Sequence, residues 1–181
     1  TKETSKQKLE QEFNRFCAMW DQIHNKYKCA IIQNNFDLPT YRFMGNKAAS
    51  DYRGRVNFVS KLNIEFYEYS QSHAGFYIND LNYESSYYGL EKWADPYYWQ
   101  MYKYAIAVPA IPYLSFSVAN IIKSLLGLNK KGLVLDCDNT LWGGVVGDIG
   151  ADKIEIGQEN AVAETYTEFQ DYLKDPEARA G

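Results

Sequence analysis

Two carboxylates separated by one residue are the part of this sequence whose spacing could support chemistry. Asp136 and Asp138 follow a short apolar run at 133–135 and precede a glycine-rich stretch from 143 to 147. An apolar run of this length predicts a buried strand, and the glycines predict a turn after it. Because open α/β sheets bind ligands at the carboxyl ends of their strands, the two carboxylates are candidates for a small-molecule site.

The residue types suggest a role for each carboxylate. Carboxylates serve as covalent nucleophiles, and their oxygens are the ligands that hard cations such as Mg²⁺ prefer. We therefore expect Asp136 to carry the nucleophilic oxygen and a Mg²⁺ contact, and Asp138 to be the general acid and base and a second metal candidate. The alternative is an Asp-Asn turn that only ends a strand, and the spacing by itself favours that alternative.

The longer string around the two carboxylates resembles a known family. Residues 136–141, Asp-Cys-Asp-Asn-Thr-Leu, match the DxDxT motif of the haloacid dehalogenase superfamily, and the continuation through Asp148 resembles its FkbH-like branch (subfamily IIIC). The resemblance implies that the first Asp is phosphorylated or otherwise acylated, that the second moves protons, and that Mg²⁺ is the cofactor. It also implies substrate binding by Thr140, Gly143 and Gly144.

The resemblance extends towards the amino terminus and implies an SGNH-hydrolase-like domain there. It rests on these residues: 32–37, Pro39, Arg42, 45–46, Ser50, 62–63, 78–80 and 93–96. An SGNH hydrolase would place a catalytic Asp and His three residues apart, whereas Asp95 is followed at that offset by Tyr98. We therefore expect a degenerate domain without an esterase site.

Alternating helical and strand patterns predict a parallel α/β unit that would hold these residues. Apolar residues recur at helical spacing over 5–28 and 55–72, and short apolar runs at 29–33 and 76–79 predict strands. We expect these strands to be parallel neighbours joined by the 55–72 helix.

The long loop predicted at 34–54 contains four polar residues of interest, Asn34, Asn35, Arg42 and Asn46. Loops of this length are usually functional or mobile, but asparagines also satisfy their own turns, and both explanations stay open.

Turn and capping signals predict the remaining elements. They are a helical turn at 88–93, a helix opened by Asp95-Pro96, a boundary between two helices at Pro109 and Pro112, a helix end at Gly127, a strand from Gly132, a tight hairpin at 142–150, an extended piece at 153–156 and a helix at 160–174. By resemblance, the hairpin would be a small flap over the phosphate site.

The predicted fold class is α/β, with two partial domains. Residues 1–129 would be the carboxyl-terminal part of a parallel-sheet, flavodoxin-like SGNH domain, and 130–181 the first strand, flap and helix of a haloacid dehalogenase-like Rossmannoid domain. The superfamily completes its site with a Ser/Thr, a Lys and an acidic pair beyond this unit. We therefore expect the chain to be a fragment that is inactive alone.

The composition of the chain argues against some classes of binding partner. The 181 residues carry a net charge of -4 without a basic stripe, which argues against nucleic acid and anionic membranes. The three cysteines have no metal-ligand spacing and no apolar run is predicted to span a membrane, so we expect free thiols and a cytoplasmic protein.

These expectations support one leading function and two alternatives. The leading function is an FkbH-like phosphatase or phosphotransferase that acts on a phosphorylated glyceryl-type substrate and transfers the unit to an acyl carrier protein. The first alternative is a non-catalytic module that docks a carrier protein or partner enzyme through exposed Tyr and Trp side chains. An active SGNH hydrolase is the least favoured.

Overall fold

The computed structural model describes residues 1–130 and 132–175, and the chain divides into two compact units, Thr1–Asn129 and Lys130–Gly181. The first unit contains α1 (Lys2–Tyr27), β1 (Ile31–Asn34), α2 (Lys47–Ser50), α3 (Arg55–Ser72), β2 (Phe76–Asn79), α4 (Leu81–Tyr88), α5 (Leu90–Trp93), α6 (Pro96–Tyr102) and α7 (Ile111–Leu125). The second unit contains α8 (Val146–Ile149) and α9 (Ala161–Lys174).

The sheet of the first unit has the predicted parallel topology. β1 pairs with β2 in parallel, with Ile31 opposite Phe76 and Asn34 opposite Asn79. The connection between the strands runs through α3, whose bounds are those predicted from its apolar spacing. The α/β fold class is therefore confirmed in this unit.

An aromatic cluster holds α1 and α3 against the sheet. Trp20, Phe66 and Phe76 are buried, and their rings meet edge to face, with the Trp20 centroid 5.0 Å from that of Phe66 and 4.6 Å from that of Phe76. Edge-to-face geometry aligns ring quadrupoles favourably. The Trp20 indole Nε1 donates a hydrogen bond to Gln33 Oε1 at 2.7 Å, so this buried polar group is satisfied.

Apolar residues recur along α7 at the spacing of one helical face, which predicts a buried stripe, but the structure buries none of them. The helix packs against β2 and α4, yet Phe116 is 70% exposed. Val108–Leu125 is long and apolar enough to cross a membrane, by length and composition only. By that criterion the expectation that no apolar run reaches this length is wrong, because Lys123 is the one charged residue between 108 and 125.

Two local predictions in the second unit are also wrong. No strand is assigned over 132–137, where Leu133 is 61% and Val134 97% exposed, because no strand among the described residues pairs with this segment. The predicted hairpin at 142–150 contains helix α8 instead, and Gly143 forms an isolated antiparallel bridge with Glu155.

The aromatic cluster makes a direct stability prediction. Phe66→Ala should lower the free energy of unfolding by about 3–5 kcal/mol, because it opens a cavity among buried rings. Ile64→Ala, on the exposed side of the same helix, is the matched control and should change it by about 0.5 kcal/mol or less. Urea denaturation followed by circular dichroism measures the free energy of unfolding of both variants. Equal decreases in the two variants would contradict the assignment of Phe66 to the core.

Candidate functional site

Asp136 presents its carboxylate to solvent. The residue is exposed, and its Oδ1 accepts a hydrogen bond from the Cys137 backbone N–H at 2.8 Å. Within residues 1–130 and 132–175, no Lys or Arg forms an ion pair with it. The side chain is therefore open to approach by a substrate or cation.

Asp138 is half-buried and is held by the turn that follows it. Its Oδ1 accepts hydrogen bonds from Trp142 Nε1 at 3.0 Å and from the Val146 backbone N–H at 3.2 Å. The second contact places an acidic group at the start of α8. This carboxylate therefore organises the segment from 138 to 146.

Tight backbone turns position both carboxylates. The Cys137 carbonyl accepts from the amides of Thr140 at 3.2 Å and Leu141 at 2.8 Å. Asn139 adopts a left-handed φ of 55°, and its Oδ1 accepts from the Gly144 N–H at 2.9 Å. Asparagine tolerates this conformation because its short polar side chain bonds locally.

The two predicted substrate-binding glycines have packing roles. Gly143 exchanges two backbone hydrogen bonds with Glu155, both 2.9 Å, and a Cβ at position 143 would lie 3.0 Å from Tyr166 Cε2. Gly144 has a φ of 99°, and a Cβ there would collide with Ile149 Cδ1. Only glycine fits both positions, whether or not a substrate contacts them.

Asp136 and Asp138 are the two predicted metal ligands of the segment from 136 to 144. In the described part of the chain, no group of three or more His, Cys, Asp or Glu side chains could hold a metal ion. Asp136 and Asp138 supply oxygen donors, which suit Mg²⁺, and Asp136 is exposed. They fit the chemistry of a Mg²⁺ site but form only part of its ligand set.

A buried polar network occupies the carboxyl ends of β1 and β2. Asn35 Nδ2 donates to both Tyr67 Oη and Asp80 Oδ1 at 2.7 Å, and Asn35 Oδ1 accepts from the Asn82 N–H at 3.1 Å. Asp80 Oδ1 also accepts from the Tyr83 N–H at 3.1 Å, capping α4. Asn35 therefore has a structural role, since its buried amide joins the ends of the two strands.

A second set of bonds joins the strand ends to α7. Asn79 Nδ2 donates to Asn34 Oδ1 at 2.8 Å, and Asn79 Oδ1 accepts from Ser117 Oγ at 2.6 Å. The sequence identified Asn34 and Asn35 as residues of interest but not Tyr67 or Ser117. Their helices carry no polar signal that distinguishes these side chains from other surface residues.

Burial shifts the titration of two groups beside this network. Burial raises the pKa of the Tyr67 hydroxyl, and the neighbouring Asp80 carboxylate adds to the rise. Burial also raises the pKa of Asp37, partly offset by its backbone and by the Trp93 side chain. In both groups the loss of nearby water penalises the charged form, which is why the pKa rises.

Asp95 caps the amino terminus of α6. Its Oδ1 accepts from the backbone amides of Tyr97 at 2.8 Å and Tyr98 at 3.4 Å, which makes it the N-cap of α6, with Pro96 as the first helical residue. This confirms the predicted start of the helix.

Comparison with known families assigns the chain. Residues 2–123 match the family described as FkbH, N-terminal domain. The chain belongs to this FkbH family. The match covers most of the first unit and confirms the FkbH-like resemblance of the sequence. No curated protein matches the chain.

One solved structure supports and extends this assignment. The chain is similar to the crystal structure of the N-terminal part of the protein BF1531 from Bacteroides fragilis, which contains a phosphatase domain and is complexed with Mg. The identity is 28%, the TM-score 0.77, and the match covers 90% of this chain and 43% of that chain. The FkbH chain thus spans less than half the length of this neighbour.

Asp37 should make stability depend on pH. Its folded-state pKa lies above the ordinary value of 3.8, so folding favours the protonated form, and stability falls as pH rises through that range. Asp37→Asn removes this ionisation. The melting temperature of the variant relative to wild type should therefore increase from pH 4 to pH 7, and a constant difference would contradict the shift.

The first unit should lack esterase activity. Tyr98 stands where an SGNH hydrolase would need a His, and the Asp95 carboxylate accepts hydrogen bonds from the first amides of α6. We expect no turnover of 4-nitrophenyl acetate above buffer. Hydrolysis that disappears in Asp95→Ala, while the circular dichroism spectrum is retained, would show that the site is catalytic.

Proposed function

We propose that this FkbH chain is part of a Mg²⁺-dependent phosphatase or phosphotransferase of the haloacid dehalogenase superfamily, with Asp136 as nucleophile. The observation that carries the proposal is the different state of the two carboxylates. Asp138 is anchored by two donors, whereas Asp136 is exposed and, among residues 1–130 and 132–175, accepts a hydrogen bond only from the Cys137 backbone N–H. The similarity to a Mg-complexed protein containing a phosphatase domain supports the same chemistry.

In the first proposed step, a carboxylate oxygen of Asp136 attacks the substrate phosphorus. A new O–P bond forms, the ester O–P bond breaks, and the leaving oxygen takes a proton from Asp138. The donors on Asp138 Oδ1 leave Oδ2 to carry that proton. Splitting the transfer in this way replaces one difficult step with two easier ones.

In the second step, water or an acceptor hydroxyl attacks the phosphorus of the aspartyl phosphate. Asp138 accepts the proton of the attacking group, and the O–P bond to Asp136 breaks. The enzyme returns to its starting state, with Asp136 ionised and Asp138 protonated. One residue therefore acts in turn as acid and base.

Asp136 and Asp138 are the residues that would hold Mg²⁺ in the described part of the chain. When bound, the ion supplies neutralisation of charge on the phosphoryl oxygens. It would also relieve the repulsion between two carboxylates placed this close in sequence. The backbone amides of Thr140, Gly143 and Gly144 already donate to the Cys137 carbonyl, the Glu155 carbonyl and Asn139 Oδ1. Substrate contact in this turn would therefore come from the Thr140 hydroxyl, with the two glycines shaping the turn around it.

Membership of the FkbH family supports a proposed substrate and partner. We propose a phosphorylated glyceryl-type substrate, transfer to an acyl carrier protein, and a cytoplasmic location. The first unit would then be a scaffold for the catalytic half, with no hydrolase activity of its own.

A second function is favoured by the exposed aromatic side chains of α6. Tyr97 is 62%, Trp99 49% and Tyr102 56% exposed, and such residues are frequent anchors of protein interfaces. The first unit would then dock a carrier protein or partner enzyme without catalysis. Phosphate release that depends on Mg²⁺ and Asp136 separates the enzyme from this module.

Asp136→Asn tests the nucleophile in the full-length protein. The nearly isosteric amide cannot attack phosphorus, so release of inorganic phosphate from 4-nitrophenyl phosphate with Mg²⁺ should fall by several orders of magnitude. Asp152→Asn, which removes an exposed carboxylate from the turn at 151–153, is the matched control and should retain activity. Wild-type turnover in Asp136→Asn would overturn the proposal.

Asp138→Asn tests the proton-transfer role separately. Loss of the acid should slow cleavage of an alkyl phosphate, whose leaving group needs a proton, more than cleavage of 4-nitrophenyl phosphate. Steady-state kinetics with both substrates gives the ratio. If the turnover of both substrates fell by the same factor and the Mg²⁺ affinity were unchanged, Asp138 would only organise the turn.

A further inference from the structure

A cavity of about 1050 Å³ lies entirely within the first unit. Its walls come from the chain that follows β1, including Arg42, from Val56 at the start of α3, and from the segment after β2, including Trp99 and Tyr104. The volume is at the upper end of the range for small-molecule pockets, about 300–1,000 Å³.

The sheet topology explains why this cavity is placed for ligand binding. β1 and β2 are parallel, so both end at the same edge. The lining comes from 38–42, which follows β1, and from 90–105, which follows α4 after β2. Parallel α/β sheets bind ligands at this edge because the connecting loops diverge there. The buried bonds of Asn35 and Asp80 fix the starts of both segments.

Arg42 supplies the cavity with an available cation. It is exposed, and among residues 1–130 and 132–175 its guanidinium makes no ion pair, hydrogen bond or ring contact. The neighbouring Arg53 and Arg55 differ, since Arg53 pairs with Asp51 and Arg55 lies over the Phe43 ring. Arg42 can therefore offer its planar set of donors to an anion.

Two acidic residues in the same lining limit the charge of that anion. Glu91 and Asp95 both line the cavity, and Asp95 has committed one oxygen to the α6 amides. Two negative charges would repel a dianion more than a monoanion. Trp99 and Tyr104, together with the aliphatic lining, suit an apolar or aromatic ligand body.

We infer that this cavity is a ligand site for a small carboxylate with an aromatic or apolar body, held by Arg42 and the Trp99 and Tyr104 rings. The named lining residues all belong to the first unit, so the proposed site does not require Asp136 or Asp138. It gives the first unit a binding function that does not depend on phosphoryl transfer.

The test titrates three probes of similar shape into the full chain by calorimetry. Phenylacetate should bind with saturation, and phenylacetamide, which lacks the charge, should bind about tenfold or more weakly, as for loss of a charged hydrogen bond. Phenyl phosphate should also bind more weakly than phenylacetate, because Glu91 and Asp95 repel a dianion more strongly than a monoanion. Phenylacetate should shift the Trp99 indole N–H signal in nuclear magnetic resonance spectra.

Variants separate Arg42 from general effects of charge. Arg42→Gln should reduce phenylacetate affinity about tenfold or more, and Arg42→Lys should restore part of it. Arg15→Gln, on the exposed face of α1, removes the same charge elsewhere and should leave the affinity unchanged. The inference is overturned by absence of saturable binding, by tighter binding of phenyl phosphate, or by unchanged affinity in a folded Arg42→Gln.

Discussion

The parallel pairing of β1 with β2 is the constraint on which the first unit depends. Parallel neighbours need a crossover, and α3 supplies it while burying Phe66 against Trp20 and Phe76. The same pairing brings both strand ends to one edge, where Asn35 and Asp80 meet across the sheet. Loss of one member of a buried polar network leaves its partners unsatisfied, so the network fixes the backbone where each strand ends.

The sequence predicted the elements whose patterns are local. The bounds of α3 and β2 follow from apolar spacing, and the start of α6 from Asp95-Pro96. The prediction of a strand from Gly132 was wrong because a strand requires a pairing partner, and an apolar run by itself does not show whether one is present. The bonds to Tyr67 and Ser117 were missed because they join residues 32 and 38 positions apart, a separation that periodicity does not report.

The candidate site shows how far local pattern predicts chemistry. The turn-forming alternative has support at Asp138, whose carboxylate accepts from the Trp142 side chain and the Val146 amide. In the part of the chain that the structure describes, Asp136 accepts a single hydrogen bond, from the Cys137 amide. The exposed carboxylate of Asp136 is the one that a substrate could reach, which is the observation on which its proposed role as nucleophile rests. Gly143 and Gly144 are explained by packing alone, so their identity adds no evidence for substrate contact.

The covalent intermediate tests the central claim most directly. The full-length protein would be incubated with Mg²⁺ and acetyl phosphate, reduced with borohydride and digested, since borohydride converts an aspartyl phosphate to homoserine. Mass spectrometry should then find homoserine at position 136, and none at 138 or in Asp136→Asn. Homoserine at 138, or turnover of acetyl phosphate with no modified residue, would contradict the assignment of Asp136 as nucleophile.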